Sequence, residues 1–157
     1  MLPRMKNSDD IRHIAQNRKA RHDYEIRRRL EAGIELLGSE VKSIRERKVN
    51  LSDAYAVVEG GEVILKNLHI SPYKMAQEQH DPRRPRRLLL HKSEIRKLFA
   101  QTEEKGLTLI PLSIYFKGKV AKIELAVAVG RKKYDKRQAI AKAEANRKIK
   151  RALRRGT

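Results

Sequence analysis

From Tyr24 to Leu37 the residues Tyr24, Ile26, Arg28, Leu30, Ala32, Ile34 and Leu36 recur at spacing two, with Glu25, Arg27, Arg29, Glu31 and Glu35 between them. A period of two puts the sets on opposite faces of a strand, so the segment predicts a long, half-buried strand. Gly33 inside it predicts a bend or bulge of the kind a closing barrel needs. GSEVKSIRER (38–47) follows: Gly38 breaks the strand, Ser39 is a cap candidate, and Val41/Ile44 mark one short amphipathic helix. Residues 49–70 are two β-rich runs around Gly60-Gly61, a hairpin signal. Residues 69–87 carry Pro72, Pro82 and Pro85 and predict an irregular segment. KSEIRKLFAQTEEKG (92–106) places Ile95, Leu98 and Phe99 on one helical face, with Gly106 as the C′ residue. Residues 107–130 predict two strands around Gly118-Lys119, the second apolar at Val120, Ile123, Leu125, Val127 and Val129.

The sum is five or six strands, a short early helix and a longer helix before the last hairpin. Mainly β with helices at the ends predicts a small closed antiparallel barrel of the OB type, an architecture common among nucleic-acid binders of this size. The domain reading is a flexible lead-in over 1–16, the barrel over 17–130 and a basic tail over 131–157.

Charge changes the picture most in the tail. The chain has 157 residues with 38 Lys/Arg against 19 Asp/Glu, a formal charge of +19. Residues 131–157 hold twelve Lys/Arg and only Asp135 and Glu144 as acids, so more than half of the excess sits in about a sixth of the chain. A basic arm on a domain implies a polyanionic partner, because each cation near a phosphate releases condensed counterions. Asp135 and Gln138 form a capping-box-like start, and alanines and Glu144–Lys148 favour helix. Ile140 and Ile149 lie on opposite sides of such a helix, and Ile149 and Leu153 alone make no stripe for docking. The segment therefore predicts a tail disordered when free and helical in a polyanionic groove. The same scarcity of large apolar residues argues against a membrane-surface helix.

Other chemistry is thinly represented. Zero cysteines exclude thiol metal sites and fit a reducing cytoplasm. No run of about 18 apolar residues is present, and the first residues lack the apolar stretch of a signal peptide. His13, His22, His69, His80 and His91 show no HExxH-type spacing, so no catalytic residue, metal or cofactor is expected. His80-Asp81-Pro82 reads as a turn in which Asp81 caps backbone amides. Five Tyr, two Phe and no Trp make broad single-strand stacking a weak model; shape and backbone recognition of folded RNA fits better. Tyr24, Tyr55 and Tyr115 read as core or rim residues.

Several motifs in order resemble one family. EAGIELLGSEVKSIR (31–45), KVNLSDAY (48–55), HISPY (69–73), HDPRRPRRLLLHKSEI (80–95), GLTLIPLSIYF (106–116) and GRKKYDKR (130–137) resemble the SsrA-binding protein family, also called small protein B. The resemblance runs from about Asn17 to Arg137. It implies an OB-type barrel that binds the tRNA-like domain of transfer-messenger RNA. It implies delivery of that RNA, alanylated and carried by elongation factor Tu, to bacterial ribosomes stalled without a stop codon. It implies a tail that enters the vacant decoding centre and mRNA channel of the small subunit; a monomer is expected.

By the same resemblance, Asn17, Glu31 and Leu89 match positions tied to RNA binding, and His22 and Lys92 lie in matching stretches. Gly130 matches the glycine where the tail leaves the barrel. Asp135, Lys136 and Arg137 match a triplet linked to function on the ribosome; Lys132 and Tyr134 flank it, and Ile149 and Leu153 belong to the same tail. Two positions depart from the pattern. Arg47 stands where members often have glycine, and a glycine needing φ > 0 there means that the turn adopts another conformation with arginine. Gly118-Lys119 replaces the usual Asn-Gly of the last hairpin.

Each residue has a plain alternative. Glu31 is either a solvated charge or an acceptor for a nucleobase edge or ribose hydroxyl, since a carboxylate repels phosphate. Leu89 on pattern alone is core; exposed in a basic rim it packs on an unstacked base. Arg83, Arg84, Arg86 and Arg87, stiffened by two prolines, are either a solubilising loop or a semi-rigid phosphate clamp, and the clamp is the reading taken. The competing function is an OB-class ribosomal or ribosome-assembly protein; a nuclease is a third.

Overall fold

A computed structural model describes residues 10–77, 79–130 and 143–153. Along the chain run β1 (Ile11–Gln16), α1 (Arg18–Asp23), β2 (Tyr24–Ile34), α2 (Gly38–Arg45), β3 (Val49–Asn50), β4 (Tyr55–Glu59), β5 (Glu62–Lys66), β6 (His69–Ile70), β7 (Arg86–Leu89), α3 (Lys92–Lys105), β8 (Thr108–Lys117) and β9 (Val120–Gly130). Seven strands pair antiparallel in the order β1-β8-β4-β5-β7-β2-β9, and β9 pairs with β8 as well. The pairings from β8 through β4, β5, β7, β2 and β9 thus return to β8. β3 and β6 make a separate two-stranded sheet.

The alternation read in β2 is real. Ala32 and Ile34 are buried, whereas Arg27, Arg29 and Glu31 are exposed. The register shift lies between Ile26 and Arg28, however, and not at Gly33. Gly33 answers a different need: a Cβ there would stand 3.1 Å from Leu89 Cβ on β7, its paired residue. The Gly60-Gly61 hairpin forms as expected, with φ +58° and +75°, as a turn with two left-handed central residues requires. Gly118 at φ +62° opens the last hairpin, which closes on the pair Lys117↔Val120.

β8 is buried along nearly its whole length because both faces are covered. Leu109, Ile114 and Phe116 join the main core with Ile44, Leu65 and Leu98. Ile110 and Leu112 instead pack under Ala20 of α1 with Ala126 and Ala128. A register shift between Pro111 and Ser113 accommodates the exchange. Leu98, fully buried, anchors α3, while Phe99 is 49% exposed. Gly106 at φ +61° ends α3 as the sequence predicts.

Beyond the bulge at Gly33, further expectations are corrected. The described residues form nine strands rather than five or six, and the segment 69–87 is not irregular throughout, since His69–Ile70 and Arg86–Leu89 are strands. The lead-in does not extend to residue 16: Ile11–Gln16 is a strand held on β8 by backbone pairing, with Ile14 its one buried side chain. Ser39 does not cap α2; the cap is Leu37, whose N–H donates to Glu40 Oε1 at 2.8 Å. Arg47 does not abandon the glycine-like turn. It sits at φ +62°, and its Nη1 donates to the carbonyls of His13 and Ile14 at 2.9 and 3.2 Å, pinning β1 at its register shift. Those bonds offset a left-handed strain of order 1 kcal/mol. Residues 143–153 are helical and exposed throughout. The capping-box start and Ile140 lie outside the described residues.

Candidate nucleic-acid interface

Glu31 and Leu89 are 58 residues apart in sequence and lie on one outward face. Leu89 on β7 pairs with Gly33 on β2, and Glu31 lies two residues before Gly33, on the same side of the strand. The missing side chain at Gly33 lets Leu89 lie across β2, where it remains 50% exposed. On Gly33's other side stands Lys122 of β9. The core alternative for Leu89 therefore fails, because odd positions of β7 point outward and even ones inward.

The Glu31 carboxylate is held in place. Tyr115 Oη donates to Glu31 Oε2, and Lys117 Nζ stands 3.6 Å from Oε1. The Tyr115 hydrogen bond, ahead of the Lys117 and Lys122 charges, keeps the Glu31 carboxyl below the usual carboxylate range against the smaller effect of burial. Burial and the Glu31 contact push the Tyr115 phenol upward. Tyr115, only 6% exposed, also packs its ring against His13 with centroids 5.8 Å apart. Beside Glu31, its cross-strand neighbour Glu124 takes Arg29 Nη1 and Ser113 Oγ, each at 3.3 Å. The result is a fixed acceptor rimmed by Arg29, Lys117 and Lys122, next to an exposed leucine. That arrangement offers hydrogen-bond acceptance to a base edge or ribose hydroxyl and cations to the adjacent phosphates. Arg29 shares the polar face of β2 with Glu31, as the alternation predicts, whereas Tyr115, Lys117 and Lys122 went unassigned because only cross-strand register brings them to Glu31.

The phosphate clamp is not what the structure builds. Arg86 is fully buried: Nε donates to Glu40 Oε2 at 2.6 Å and Nη1 to the Leu68 carbonyl at 2.6 Å. Arg84 Nε donates to the other oxygen, Glu40 Oε1, at 3.1 Å. Glu40 is itself fully buried, and burial alone would raise its pKa; the Arg84 bond, the Leu37 N–H and Arg86 outweigh that and hold it low. Burial conversely lowers Arg86 despite Glu40. Arg87 is exposed but bridges Glu35 and Glu62 at 2.9 and 3.1 Å. Only Arg83 of the four has no side-chain partner among the described residues; its backbone N–H is capped by Asp81 Oδ1 at 3.0 Å, the turn expected from the sequence. The run thus fastens α2 to β7 and, among the described residues, leaves Arg83 unpaired.

Asn17 is 4% exposed and its side chain is used internally. Oδ1 caps α1 at Ala20 N–H (3.1 Å), and Nδ2 donates to the Leu51 and Pro111 carbonyls at 3.2 and 3.0 Å. It shapes α1 rather than presenting an amide outward. His22, on α1, is 91% exposed and lies 3.2 Å from Asp23 Oδ1. Lys92 is exposed at the start of α3. Gly130 pairs with Tyr24 at the end of β9. Lys132, Tyr134, Asp135, Lys136 and Arg137 lie outside the described residues, while Ile149 and Leu153 are 57% and 69% exposed. His80 is buried between Ser39 Oγ (3.0 Å) and the Ile70 carbonyl (2.9 Å), a structural position. Among the described residues no group of three or more metal-ligating side chains converges, and no helix is long and apolar enough to cross a membrane.

A mainly β fold with an exposed, cation-rimmed acceptor face and a strongly basic extension defines an RNA-binding module with an appended arm. The chain belongs to the SmpB protein family, whose model matches residues 14–155. It is similar to the SsrA-binding protein of Halothermothrix orenii, 59% identical over 147 residues that cover 93% of this chain and 95% of that one. The SsrA-binding protein of Carboxydothermus hydrogenoformans is 58% identical, covering 90% and 95%. That of Microcystis aeruginosa is 52% identical, covering 96% and 100%. Among solved structures, a chain described as "tmRNA-SmpB: a journey to the center of the bacterial ribosome" is 53% identical with TM-score 0.62, covering 74% of this chain and 82% of that one.

Proposed function

We propose that this chain is a non-enzymatic RNA-binding adaptor of bacterial ribosome rescue. Its folded part binds the tRNA-like domain of transfer-messenger RNA and brings that RNA to stalled ribosomes for trans-translation. Membership of the SmpB family supports the partner. The observation that carries the mechanism is the joining of Glu31 and Leu89 across Gly33 on one exposed face. In this reading the circuit of strand pairings is a closed OB-type barrel, and its outer face reads the RNA through Glu31, Leu89 and the surrounding cations. Asn17 acts through the shape of α1, which carries His22. The tail, leaving at Gly130, threads the vacant mRNA path and orders there, its +10 charge matched to ribosomal RNA. Lys132, Tyr134, Asp135, Lys136 and Arg137 make its first ribosomal contacts. An occupied channel excludes the tail, which separates stalled from active ribosomes. Elongation factor Tu is engaged through the alanylated RNA, and the work is cytoplasmic.

The test is a titration of the full chain against the tRNA-like domain at two salt concentrations, with excess elongator tRNA as competitor. Tight binding that survives competition is expected. Equal affinity for both RNAs overturns the reading and favours an OB-class ribosomal protein. Cutting the chain after Gly130 leaves RNA affinity nearly intact and abolishes tagging on stalled ribosomes; collapse of RNA binding instead refutes this division of labour.

A further inference from the structure

α3 runs beside the turn that joins β4 to β5. Between them lies an open groove of about 500 Å³ whose floor is Val58 and Ile95 and whose wall is the backbone of Gly60 and Gly61. A Cβ at either glycine would meet nothing within 4 Å, so this wall stands clear of side chains. The groove's other side is one stripe of α3: Lys92, Arg96 and Phe99, at i, i+4 and i+7. Half of Phe99 is exposed, while Leu98 and Ile95 pack the helix onto the core.

Charge decides what such a slot accepts. Lys92 and Arg96 make no side-chain hydrogen bond or ion pair among the described residues. The acids flanking the glycine turn are engaged elsewhere, Glu59 with Lys66 at 2.7 Å and Glu62 with Arg87 at 3.1 Å. Glu94 lies on the opposite side of α3, and Glu103 lies one turn beyond Phe99. Among the described residues Lys92 and Arg96 thus present two uncompensated charges that repel the basic helix at 143–153, although Ile149 and Leu153 there are exposed. They disfavour a second copy of this +19 chain for the same reason. The groove begins close in the chain to the outer face, since Lys92 at its edge follows Leu89 by three residues.

We infer that this groove holds one unpaired nucleotide of the same RNA that lies on Glu31 and Leu89. The base stacks on the Phe99 ring against the Gly60-Gly61 backbone, and its flanking phosphates meet Lys92 and Arg96. A phenyl face and two cations at helical spacing are what a sequence-tolerant base slot requires. The inference rests on the RNA-adaptor reading and extends its contact surface to α3 and the β4–β5 turn.

The experiment uses the full chain and the transcribed tRNA-like domain, with Phe99→Ala, Phe99→Tyr, Arg96→Gln and Glu31→Ala measured in parallel. Phe99→Ala is expected to weaken binding by about 5- to 10-fold, with Phe99→Tyr restoring it, since stacking survives the hydroxyl. Arg96→Gln is expected to lower the slope of log affinity against log salt by about 0.7–0.9, one phosphate contact. All three keep the wild-type unfolding midpoint. Unchanged affinity in Phe99→Ala alongside weakened binding in Glu31→Ala overturns the slot and leaves the adaptor reading standing. A weakened Phe99→Tyr with a lowered midpoint makes Phe99 structural and also overturns it. Wild-type protein that fails to prefer the tRNA-like domain over elongator tRNA removes the premise of both.

Discussion

Glu31 and Glu40 are nine residues apart and do opposite work. Glu40 is fully buried in α2, its carboxylate divided between Arg84 and Arg86. Glu31 is exposed on β2, fixed by Tyr115 and faced by Lys117. Both are held ionised, yet by different means. Glu40 needs two guanidiniums because burial opposes its charge most; Glu31 needs chiefly one phenol, and burial opposes it less. A carboxylate fully matched inside a protein is part of the frame. One held by a phenol and a looser lysine contact, and open to solvent, retains acceptor capacity for a ligand. The arginine run and the outer face divide along the same line, with the dense positive sequence in the frame and the sparse one in the interface.

The contrast breaks most sharply at Glu40. Glu40→Gln removes the charge that compensates a fully buried guanidinium, and removing one partner of a buried pair costs about 3–5 kcal/mol. The expected outcome is a large drop in the thermal midpoint and a loss of RNA binding only in proportion to the unfolded fraction. A variant with wild-type stability that fails to bind would place Glu40 in the interface and erase the distinction.

Glu31→Ala should do the reverse. Its stability loss is expected at about 1 kcal/mol or less, the worth of one hydrogen bond at an exposed side chain. RNA affinity should fall by more than about tenfold, the mark of a contact worth 1.4 kcal/mol or more. A stability loss as large as that of Glu40→Gln would return Glu31 to a structural role. Leu89→Ala sharpens the same point more gently, with a midpoint close to wild type because half of the side chain is already in water, and affinity weakened about fivefold. An isothermal titration beside a melting curve separates the two quantities in every variant.

How much of this was legible in the chain depends on which physical signal each element carries. β2 declared itself by alternation, the hairpins by Gly60-Gly61 and Gly118, and the end of α3 by Gly106. β1 was hidden because one buried residue, Ile14, makes no period. β3 and β6 are two residues each, too short for any pattern. β7 was masked because its inward position 86 is an arginine, which binary patterning assigns to solvent; the buried partner, Glu40, lies 46 residues away. The same concealment turned a structural ion triad into an apparent phosphate clamp. Glu31 and Leu89 were reached through family resemblance, since periodicity put one on a solvated face and the other in the core. Lys122 and Tyr115 need the β2–β9 and β8–β9 registers, which no local pattern encodes.

Tyr115→Phe tests the smallest difference between the two carboxylates, the phenol that replaces Glu40's arginines. Removing the hydroxyl takes away the leading cause of Glu31's lowered pKa. A carboxyl lowered in the folded state contributes stability above its unfolded value of about 4.3, lost as pH falls through the folded one. The variant should therefore lose less stability than wild type on acidification below about pH 4. A phenol raised in the folded state contributes stability below its unfolded value, lost as pH rises past it, so wild type carries an extra loss above about pH 10 that phenylalanine abolishes. The difference between the two stability–pH curves should be flat across neutrality and narrow at both ends. Curves that stay parallel from acid to alkali would mean that Tyr115 does not set the Glu31 charge, and that the exposed carboxylate is positioned by Lys117 alone.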